Sequence, residues 1–346
     1  MRVAVVHNAV GPEAGPDERD VLVQAEHVTA ALVRRGHHVE PVACDLDLAA
    51  LARRLEELSP DVVFNLVESL GGHDRLIHVV PSLLDAVGLS YTGAPTEAVF
   101  VTTSKLLTKE RLSAAALPVP AVLAVYPEAG YAAQAASPPP RAILKSVWDH
   151  GSPALDDEAV VAAASPAALR ARLRAMLPRL SGAGFAEAFV EGREFNVSLL
   201  ASPEGLVVLP PAEIEFVGYP AGKPRIVGRD AKWAPDSFEY GHTPRRFDFP
   251  PEDELLLREL GRLARGAWRR LRLAGYARVD FRVDGAGKPW ILEVNVNPCL
   301  SPDAGFAAAL EEAGVGYDEA IARILDDALA RAGGKRPGPR PVMAVS

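Results

Sequence analysis

The amino-acid sequence predicts an α/β protein that contains more than one packed unit. In the first hundred residues, short β-branched runs such as Met1–His7 and Asp61–Leu66 alternate with segments of helical spacing such as Val21–Arg35. This alternation predicts a small parallel sheet covered by helices. The chain has 346 residues, which is more than one small hydrophobic core organises, so two or three packed units are expected.

The first unit is predicted to end near residue 100, and its helices end at glycines. Gly36 and Gly88 each follow an apolar stretch of helical spacing, a position at which glycine commonly ends a helix. The other predicted elements of this unit are the strand Val39–Ala43 and the helices Leu48–Leu58 and Ile77–Val87.

The middle of the chain reads as a second unit of mixed structure. A proline-rich segment, Ser137–Pro140, indicates a turn or linker, and the Gly- and Ser-containing segment Trp148–Asp157 indicates an irregular loop. The predicted elements are the helix Ser104–Ala116, the strand Arg141–Val147, the helix Pro166–Leu177 and the strand Phe185–Val190.

The last third is predicted to hold a β-hairpin between two long helices. Asp284–Pro289 has the composition of a hairpin turn, and residues 218–251 read as irregular. The predicted elements are the strands Glu194–Ala201, Leu206–Glu215, Tyr276–Val283 and Trp290–Val296 and the helices Asp253–Leu271 and Tyr317–Ala332. The resulting division is residues 1–100, 101–190 and 191–335, followed by a flexible tail at 336–346.

Composition excludes several classes of protein. A formal net charge of -8 argues against nonspecific nucleic-acid binding, which needs a surplus of Lys and Arg. The two cysteines, Cys44 and Cys299, lie far apart and predict neither a disulfide framework nor a zinc site. No uncharged apolar run reaches the ~18 residues of a membrane span, and the N-terminus does not read as a signal peptide. We therefore expect a cytoplasmic protein that binds neither membrane nor nucleic acid.

The predicted hairpin gathers polar side chains on one face. Side chains alternate along a strand, so Glu293, Asn295 and Asn297 share a face while Leu292, Val294 and Val296 share the other. A tight turn centred between Ala286 and Gly287 places Asp280 opposite Glu293 and Arg278 opposite Asn295. Two carboxylates and an amide oxygen suit Mg²⁺, and a guanidinium beside them suits a phosphate. The alternative is a solvated sheet face with ordinary cross-strand ion pairs.

Two weaker patterns point to a nucleotide. Lys105, Lys145 and Lys232 stand near strand ends or loops, and a triphosphate needs cations from several segments; the alternative is that each is a solvated surface lysine. Glu187–Glu194 is an apolar strand that turns and resumes, a hinge whose backbone could read an adenine edge, although a plain hairpin fits equally. The sequence contains neither a phosphate-binding P-loop nor a Gly-x-Ser-x-Gly nucleophile elbow.

Seven segments, in order, resemble the D-alanine–D-alanine ligase branch of the ATP-grasp superfamily over nearly the whole chain. They are Asp61–Leu66 with Gly71-Gly72, Gly88–Gly93, Ser104-Lys105 with Lys109, Phe189–Phe195, Leu209-Pro210 with Glu213-Ile214, Arg278–Phe281 and Leu292–Pro298. The resemblance implies a Rossmann-like N-terminal domain and an ATP-grasp fold that holds nucleotide between two α+β subdomains. It also implies a homodimer that joins a small carboxylate to a small amine, amino acids above all, through an acyl phosphate.

The resemblance also implies cofactors and residue roles. ATP and two Mg²⁺ ions are expected, with Mn²⁺ as an alternative metal. The expected roles are ATP binding by Lys105, Lys145, Glu187, Val190, Glu194 and Lys232, metal binding by Asp280, Glu293 and Asn295, and catalysis by Arg278, Lys232 and Ser152. Trp148–Asp157 would be the lid that excludes water from the acyl phosphate.

The departures from the family pattern lie at the substrate end. Trp233 stands where the family often has Tyr, Cys299 where it has Gly, and Ala304 where a serine is expected. The lid begins Asp149-His150-Gly151 instead of Glu-Gly-Ser, and Glu18 is the candidate for the first-domain acid that orients a substrate amine. Three alternatives therefore remain: a ligase for a different acid–amine pair, a catalytically silent nucleotide-binding partner, and a carboxylase-like subunit.

Overall fold

The N-terminal unit is a three-stranded parallel sheet, as predicted. The computed structural model describes residues 1–127, 139–151 and 154–333. Strand β1 (Arg2–Asn8) lies between β2 (His38–Cys44) and β3 (Val62–Asn65). Helices α1 (Pro16–Arg34), α2 (Leu48–Leu58) and α3 (Val79–Ala86) connect and cover these strands.

Helix α1 begins at Pro16, five residues before the predicted start at Val21. Proline fits the first turn of a helix because its missing N–H needs no partner there. The carboxylate of Glu18 accepts a hydrogen bond from Gly15 N at 3.1 Å and so caps the helix. Apolar periodicity begins only at Val21, so the polar first turn was missed.

The predicted helix Ser104–Ala116 is the second of a pair. Helix α4 (Thr96–Thr103) ends at Ser104, and α5 (Lys105–Ser113) begins there, because the Ser104 hydroxyl accepts from Leu107 N at 3.3 Å and caps the second helix. Both helices pack in one core with the C-terminal sheet, through residues such as Val101 and Leu112. The sequence therefore predicted α5 but not α4.

The second sheet is antiparallel and has the order β4-β7-β5-β6. Its strands are β4 (Val122–Tyr126), β5 (Arg141–Ser146), β6 (Val160–Ala162) and β7 (Gly184–Ala188). Helix α6 (Pro166–Met176) covers one face with Leu169 and Leu173. Of the predicted linker Ser137–Pro140, the first two residues lie outside the described part of the chain.

The third sheet is antiparallel with the order β11-β10-β8-β12-β13, and β9 pairs with β8. Its strands are β8 (Arg193–Ser202), β9 (Gly205–Val208), β10 (Ala212–Ile214), β11 (Arg245–Arg246), β12 (Tyr276–Val283) and β13 (Pro289–Asn295). The later helices are α7 (Arg229–Trp233), α8 (Phe238–Gly241), α9 (Glu254–Leu271), α10 (Gly305–Glu312) and α11 (Tyr317–Ala332). Helices α10 and α11 share a core with the N-terminal sheet, which joins the first and third sheets into one body.

Two predictions for the last third were wrong in detail. The run Leu206–Glu215 is two strands, because Pro210 and Pro211 lack the N–H that would continue a ladder. The stretch 218–251, predicted to be irregular, contains α7, α8 and β11, and α10 was not predicted at all. Helices of four and five residues are too short to show apolar periodicity.

The β12–β13 hairpin pairs Asp280 with Glu293 and Arg278 with Asn295, as predicted. The ladder between this pair and the turn differs from the prediction, however. Next to the turn, Phe281 faces Ile291, so the register shifts by one residue and Leu292 is the extra residue of a β-bulge. Leu292 therefore lines the same cleft as Glu293, and its predicted place on the face of Val294 was wrong.

None of the described helices is long and apolar enough to cross a membrane.

Gly192 lies just before β8, at a position where the backbone leaves no room for a side chain. We predict that Gly192→Ala destabilises the protein by about 2–4 kcal/mol. Its φ is +145°, and an added Cβ would lie 1.9 Å from the Val283 carbonyl oxygen. Chemical denaturation measures the loss. Gly285→Ala is the control, because nothing lies within 4 Å of its added Cβ; an equal effect of both substitutions would contradict the steric argument.

Candidate functional site

A cleft lies between the second and third sheets. Nearly all the residues that the sequence assigned to ATP and metal line it. They are Lys105, Lys145, Glu187, Val190, Glu194, Lys232, Asp280 and Glu293. Asn295 lies one strand position beyond, opposite Arg278. Catalytic candidate Ser152 lies outside the described residues.

The deepest charge in the cleft is the carboxylate of Glu187 on β7, which is fully buried. Its Oε1 lies 2.6 Å from Lys145 Nζ, and its Oε2 lies 2.5 Å from Lys109 Nζ. The pKa of Glu187 is lowered: burial opposes ionisation, but the two ammonium groups outweigh it. Burial lowers the pKa of Lys109. Two lysines and one carboxylate leave net positive charge, which suits an anionic ligand.

The hairpin face carries two carboxylates in different environments. Asp280 accepts from Arg278 Nε and Nη2 at 2.7 and 2.9 Å and from Asn196 Nδ2 at 2.7 Å. Glu293 Oε1 lies 3.1 Å from Lys105 Nζ. Burial opposes the ionisation of Glu293, but Lys105 and other cations lower its pKa to about 2, so this carboxylate is ionised at neutral pH.

The hinge between β7 and β8 forms one end of the cleft. Val190 lines it with the neighbouring backbone, and Glu194 stands at the start of β8. Arg282, which is buried, holds the Glu194 carboxylate at 2.7 Å and donates to Gly192 O at 2.9 Å. Arg282 on β12 therefore fixes the position of the hinge. The backbone groups of the hinge that line the cleft are placed to bind a planar base.

Lys232 reaches the cleft from the short helix α7. Its Nζ donates to Gly151 O at 3.4 Å, a long contact that joins α7 to the lid loop. Burial lowers the pKa of Lys232, and Arg278 adds to the effect. Trp233, which replaces the family's tyrosine, approaches Gly151 as well, at 4.0 Å from the position of a Cβ.

The described part of the lid loop is tied to the N-terminal unit. His150 N donates to Asp74 Oδ2 at 2.7 Å, and Lys105 Nζ donates to the Asp149 carbonyl oxygen. Burial raises the pKa of Asp74 to about 6 and lowers the pKa of His150 to about 4, so the imidazole is uncharged at neutral pH. Asp149 and His150 are therefore held against α5 and the segment that follows β3.

A second polar cluster lies between α1 and the residues that follow β13. Asp20 accepts from Cys299 Sγ and from Ser301 Oγ, each at 2.9 Å. Gln24 Nε2 donates to Asp20 at 3.1 Å and to Glu68 Oε1 at 2.8 Å. Burial raises the pKa of Glu68 to about 7. Candidate Glu18 is exposed and caps α1 instead, so that expectation was wrong.

Sequence reasoning missed several residues of the site. Lys109 stands in one of the seven resembling segments and Arg282 in the predicted strand Tyr276–Val283, but neither was given a role. Each holds a carboxylate that was assigned one. Asp20, Gln24 and Glu68 follow no pattern of spacing that would link α1 to the end of β13. Only the segment Glu68–Asp74, acidic and Gly-rich just after a strand, carried a usable signal.

The donor set fits Mg²⁺. No group of three His, Cys, Asp or Glu side chains placed to hold a metal occurs in residues 1–127, 139–151 and 154–333. Mg²⁺ does not require one, because it commonly binds one or two carboxylates together with phosphate and water oxygens. Asp280 and Glu293 are the two carboxylates, and Asn295 Oδ1, which accepts from Asn297 N at 2.9 Å, retains a second lone pair.

Comparisons with known proteins decide the family. Residues 168–326 match the family model described as "D-ala D-ala ligase C-terminus". The D-alanine–D-alanine ligase of Moorella thermoacetica is 30% identical and that of Gloeobacter violaceus 31%; each alignment covers 95% of this chain, with 99% and 100% of the relative. The chain belongs to the D-alanine–D-alanine ligase family. Members of this family are ATP-dependent carboxylate–amine ligases, and this chain is a ligase of that type. The family uses ATP and Mg²⁺ and acts on small amino-acid substrates.

Solved structures support the fold of the family. A crystal structure of the D-alanine–D-alanine ligase from Bacillus anthracis in complex with ATP superposes with a TM-score of 0.71. The alignment covers 97% of this chain and all of that one at 17% identity. The ATP-grasp architecture expected from the sequence is therefore confirmed.

The raised pKa of Glu68 predicts a pH-dependent contribution to stability. Its pKa is raised from 4.5 to about 7 in the folded state, so the folded protein binds more protons between these values. The contribution of Glu68 to the free energy of unfolding is fully present below pH 4.5 and is lost as the pH rises through 7. Because Glu68 is only half-buried, we predict that Glu68→Gln gains about 1–2 kcal/mol relative to wild type between pH 4.5 and 8.

Denaturant titrations of both proteins at the two pH values measure this difference. The control is Glu57→Gln, whose carboxylate is 67% exposed beside Arg54. A parallel pH dependence in wild type and Glu68→Gln would show that Glu68 titrates normally.

Proposed function

We propose that the protein joins the carboxylate of one amino acid to the amine of another through an acyl phosphate held in the cleft between the second and third sheets. The cross-strand pair Asp280 and Glu293, flanked by Arg278 and Lys105, carries this proposal. A protein that only bound nucleotide would have little use for a guanidinium placed beside two metal-binding carboxylates.

The nucleotide is proposed to lie with its base at the hinge and its phosphates toward the hairpin. Val190 and the adjacent backbone meet the adenine together with Glu187, and Glu194 meets the ribose. Lys105, Lys145 and Lys232 converge on the other part of the cleft, where a triphosphate needs cations.

Asp280, Glu293 and Asn295 are proposed to hold two Mg²⁺ ions, and Mn²⁺ is the alternative metal. When bound, the metal neutralises charge on the transferred phosphoryl group. Asp280 already accepts from Arg278 and Asn196, so its geometry is fixed before any ion binds.

The reaction then needs two steps. A substrate carboxylate oxygen attacks the γ-phosphorus of ATP, ADP leaves and an acyl phosphate forms. The amine of the second substrate attacks the acyl carbon, the carbon–oxygen bond to phosphate breaks, and an amide, inorganic phosphate and a proton are released. Arg278, which binds Asp280 through Nε and Nη2, is proposed to stabilise the oxyanion of the tetrahedral intermediate. Lys232 is proposed to hold the γ-phosphate.

The relatives' names supply D-alanine as the first substrate to test, in both positions. The substrate end differs from the family pattern at Cys299 and Ala304, and Asp20 and Glu68 form its acidic side. These differences favour a different amino-acid pair. We also propose the domain division 1–100, 101–190 and 191–335, a homodimer as in the resembling family, and Ser152 as a catalytic residue of the lid.

The deciding experiment is ADP release with Mg²⁺, measured across D- and L-amino acids singly and in pairs, with identification of the product. Turnover stimulated by D-alanine alone supports dipeptide synthesis from two D-alanines. Turnover with another pair keeps the mechanism and reassigns the substrates. ATP binding without turnover or amide product in any pair would contradict the proposed function.

We predict that Glu293→Gln lowers ATP turnover by at least about 10²-fold while the protein stays folded, because the amide removes a metal-binding charge. Steady-state rates at saturating Mg²⁺, with thermal melting as the check on folding, test this prediction. Glu312→Gln, an exposed substitution on α10, is the control. An unchanged rate in Glu293→Gln would remove this residue from the metal site.

The lid proposal predicts that ATP protects the segment 148–157 from limited proteolysis, since Gly151 and His150 are tied to the cleft walls. Mass spectrometry of the fragments with and without ATP and Mg²⁺ locates the protected sites. Equal cleavage of this segment in both conditions would argue against a lid.

A further inference from the structure

Two segments that belong to different sheets run side by side along the cleft. Residues 154–159 lead into β6 of the second sheet, and residues 223–233 lie between β10 and β11 of the third sheet. Leu155 from the first segment and Ile226 and Val227 from the second line the cleft. These two segments, which we call the seam, therefore form one wall of the cleft out of both sheets.

The centre of the seam is held by close packing. Arg229 N donates to Leu155 O at 3.2 Å, and Ile226 shares a small apolar core with Ile143 of β5. Gly228 lies against the same carbonyl group, since an added Cβ would be 2.2 Å from Leu155 O. The segments are therefore so close that a single methyl group at this position would have to push them apart.

An ion pair crosses one end of the seam. Lys223 Nζ lies 2.7 Å from Asp157 Oδ2 on the other segment and 2.6 Å from Glu239 Oε1 on α8. The Lys223 side chain is only 17% exposed. Because Glu239 already holds the ammonium group, the pair with Asp157 costs little further ordering of the lysine side chain.

Each side of this ion pair is anchored in its own sheet. Asp156, one residue before the paired aspartate, binds Arg179, which follows α6 in the unit of the second sheet. On the other side, Arg282 of β12 donates to Arg225 O, two residues after the paired lysine. If the second and third sheets move apart, the ion pair must therefore break, because neither end of it hangs on a free loop.

The other end of the seam carries Lys232, the residue proposed to hold the γ-phosphate. Helix α7 begins at Arg229, directly at the central contact, and Lys232 Nζ reaches Gly151 O at 3.4 Å. The position of Lys232 in the cleft therefore depends on a closed seam.

We propose that Lys223 is a positioning residue whose ion pair with Asp157 keeps the seam closed beside a bound nucleotide and so slows the release of that nucleotide. This inference rests on the proposed function, because the cleft must hold ATP and ADP, and it adds what retains them there. Asp157 is 52% exposed, so water reaches the pair and it is weak enough to break at each turnover.

The test is stopped-flow release of a fluorescent ADP analogue, with Mg²⁺, from the full-length protein into an excess of unlabelled ADP. Lys223→Met and Asp157→Ala are each expected to speed release about two- to fivefold, the effect of one partly exposed ion pair. The double variant is expected to release no faster than either single variant, because both substitutions remove the same pair. Lys223→Arg keeps the charge and is expected to restore most of the wild-type rate.

Salt separates the ion pair from a general loss of structure. At about 1 M salt, where charges are screened over roughly 3 Å, the wild-type rate is expected to rise to that of Lys223→Met. Glu158→Ala is the matched control, because this neighbouring carboxylate pairs with Arg179 on its own side of the seam. Its release rate is expected to equal that of the wild type.

Gly228→Ala tests the seam without changing a charge. Since the added Cβ would meet Leu155 O, faster release is expected at low and at high salt, with thermal melting as the check on folding. Gly241→Ala on α8 is the control, because nothing lies within 4 Å of its added Cβ.

Equal release rates in wild type, Lys223→Met and Asp157→Ala would overturn the inference. Additive effects in the double variant, or a difference from wild type that persists at high salt, would overturn it as well. Failure of the proposed function looks different, because release then responds to Lys223 as expected but no amide forms with any amino-acid pair. A wild-type protein that binds no nucleotide would contradict both.

Discussion

The pairing of Asp280 with Glu293 across the β12–β13 hairpin is the constraint on which the rest of the site depends. Ladder hydrogen bonds fix the distance between these two positions, whatever the loops around the cleft do. The hairpin turn is centred half a residue from the position that an unbroken ladder through Asp280 and Glu293 would need, and the bulge at Leu292 makes up the difference. The bulge also places the apolar side chain of Leu292 in the cleft beside the Glu293 carboxylate. An apolar side chain and a carboxylate therefore stand next to each other at this point of the cleft.

Buried charges hold the second sheet to this frame. Glu187 would be costly to bury alone, and Lys109 and Lys145 together keep it ionised. Because Lys109 comes from α5, which packs on the third sheet, this ion pair ties the second sheet to the third through the floor of the cleft. Within the third sheet, Arg282 on β12 pairs with Glu194 on β8 and donates to Gly192 O, which holds the hinge in place. Two lysines on one carboxylate leave an excess of positive charge, which suits an anionic ligand.

The sequence predicted those parts of the fold that repeat or obey local rules. Helices α2 and α11 and strand β12 have the predicted bounds because apolar periodicity or alternation runs to their ends. Helix α4 was not predicted because it is buried on several sides and has no polar face that would reveal a helical period. The predicted pairing of Asp280 with Glu293 was correct although the predicted centre of the turn was wrong by half a residue. The extra residue of the bulge compensated for that error.

The residues of the candidate site also fall into those that local sequence patterns predicted and those that they could not predict. Residues on strands, such as Asp280 and Glu293, could be placed from alternation alone. Asp20 and Glu68 could not, because they meet the end of β13 only through the packing of α1 and the loop after β3 on the third sheet. Contacts between residues 20 and 299 or 24 and 300 leave no periodic trace in the chain.

The polarity of the cleft bears on the chemistry it can select. Lys105, Lys145, Lys232 and Arg282 line the cleft. The carboxylates of Asp20 and Glu68 form a separate acidic cluster with Gln24, next to the residues that follow β13. A substrate that carries both an amine and a carboxylate can align with this gradient, whereas a simple carboxylic acid satisfies only its basic side. The lid proposed for Trp148–Asp157 would exclude water from the acyl phosphate once such a substrate is bound. Binding of the correct substrate would then also protect the intermediate from hydrolysis.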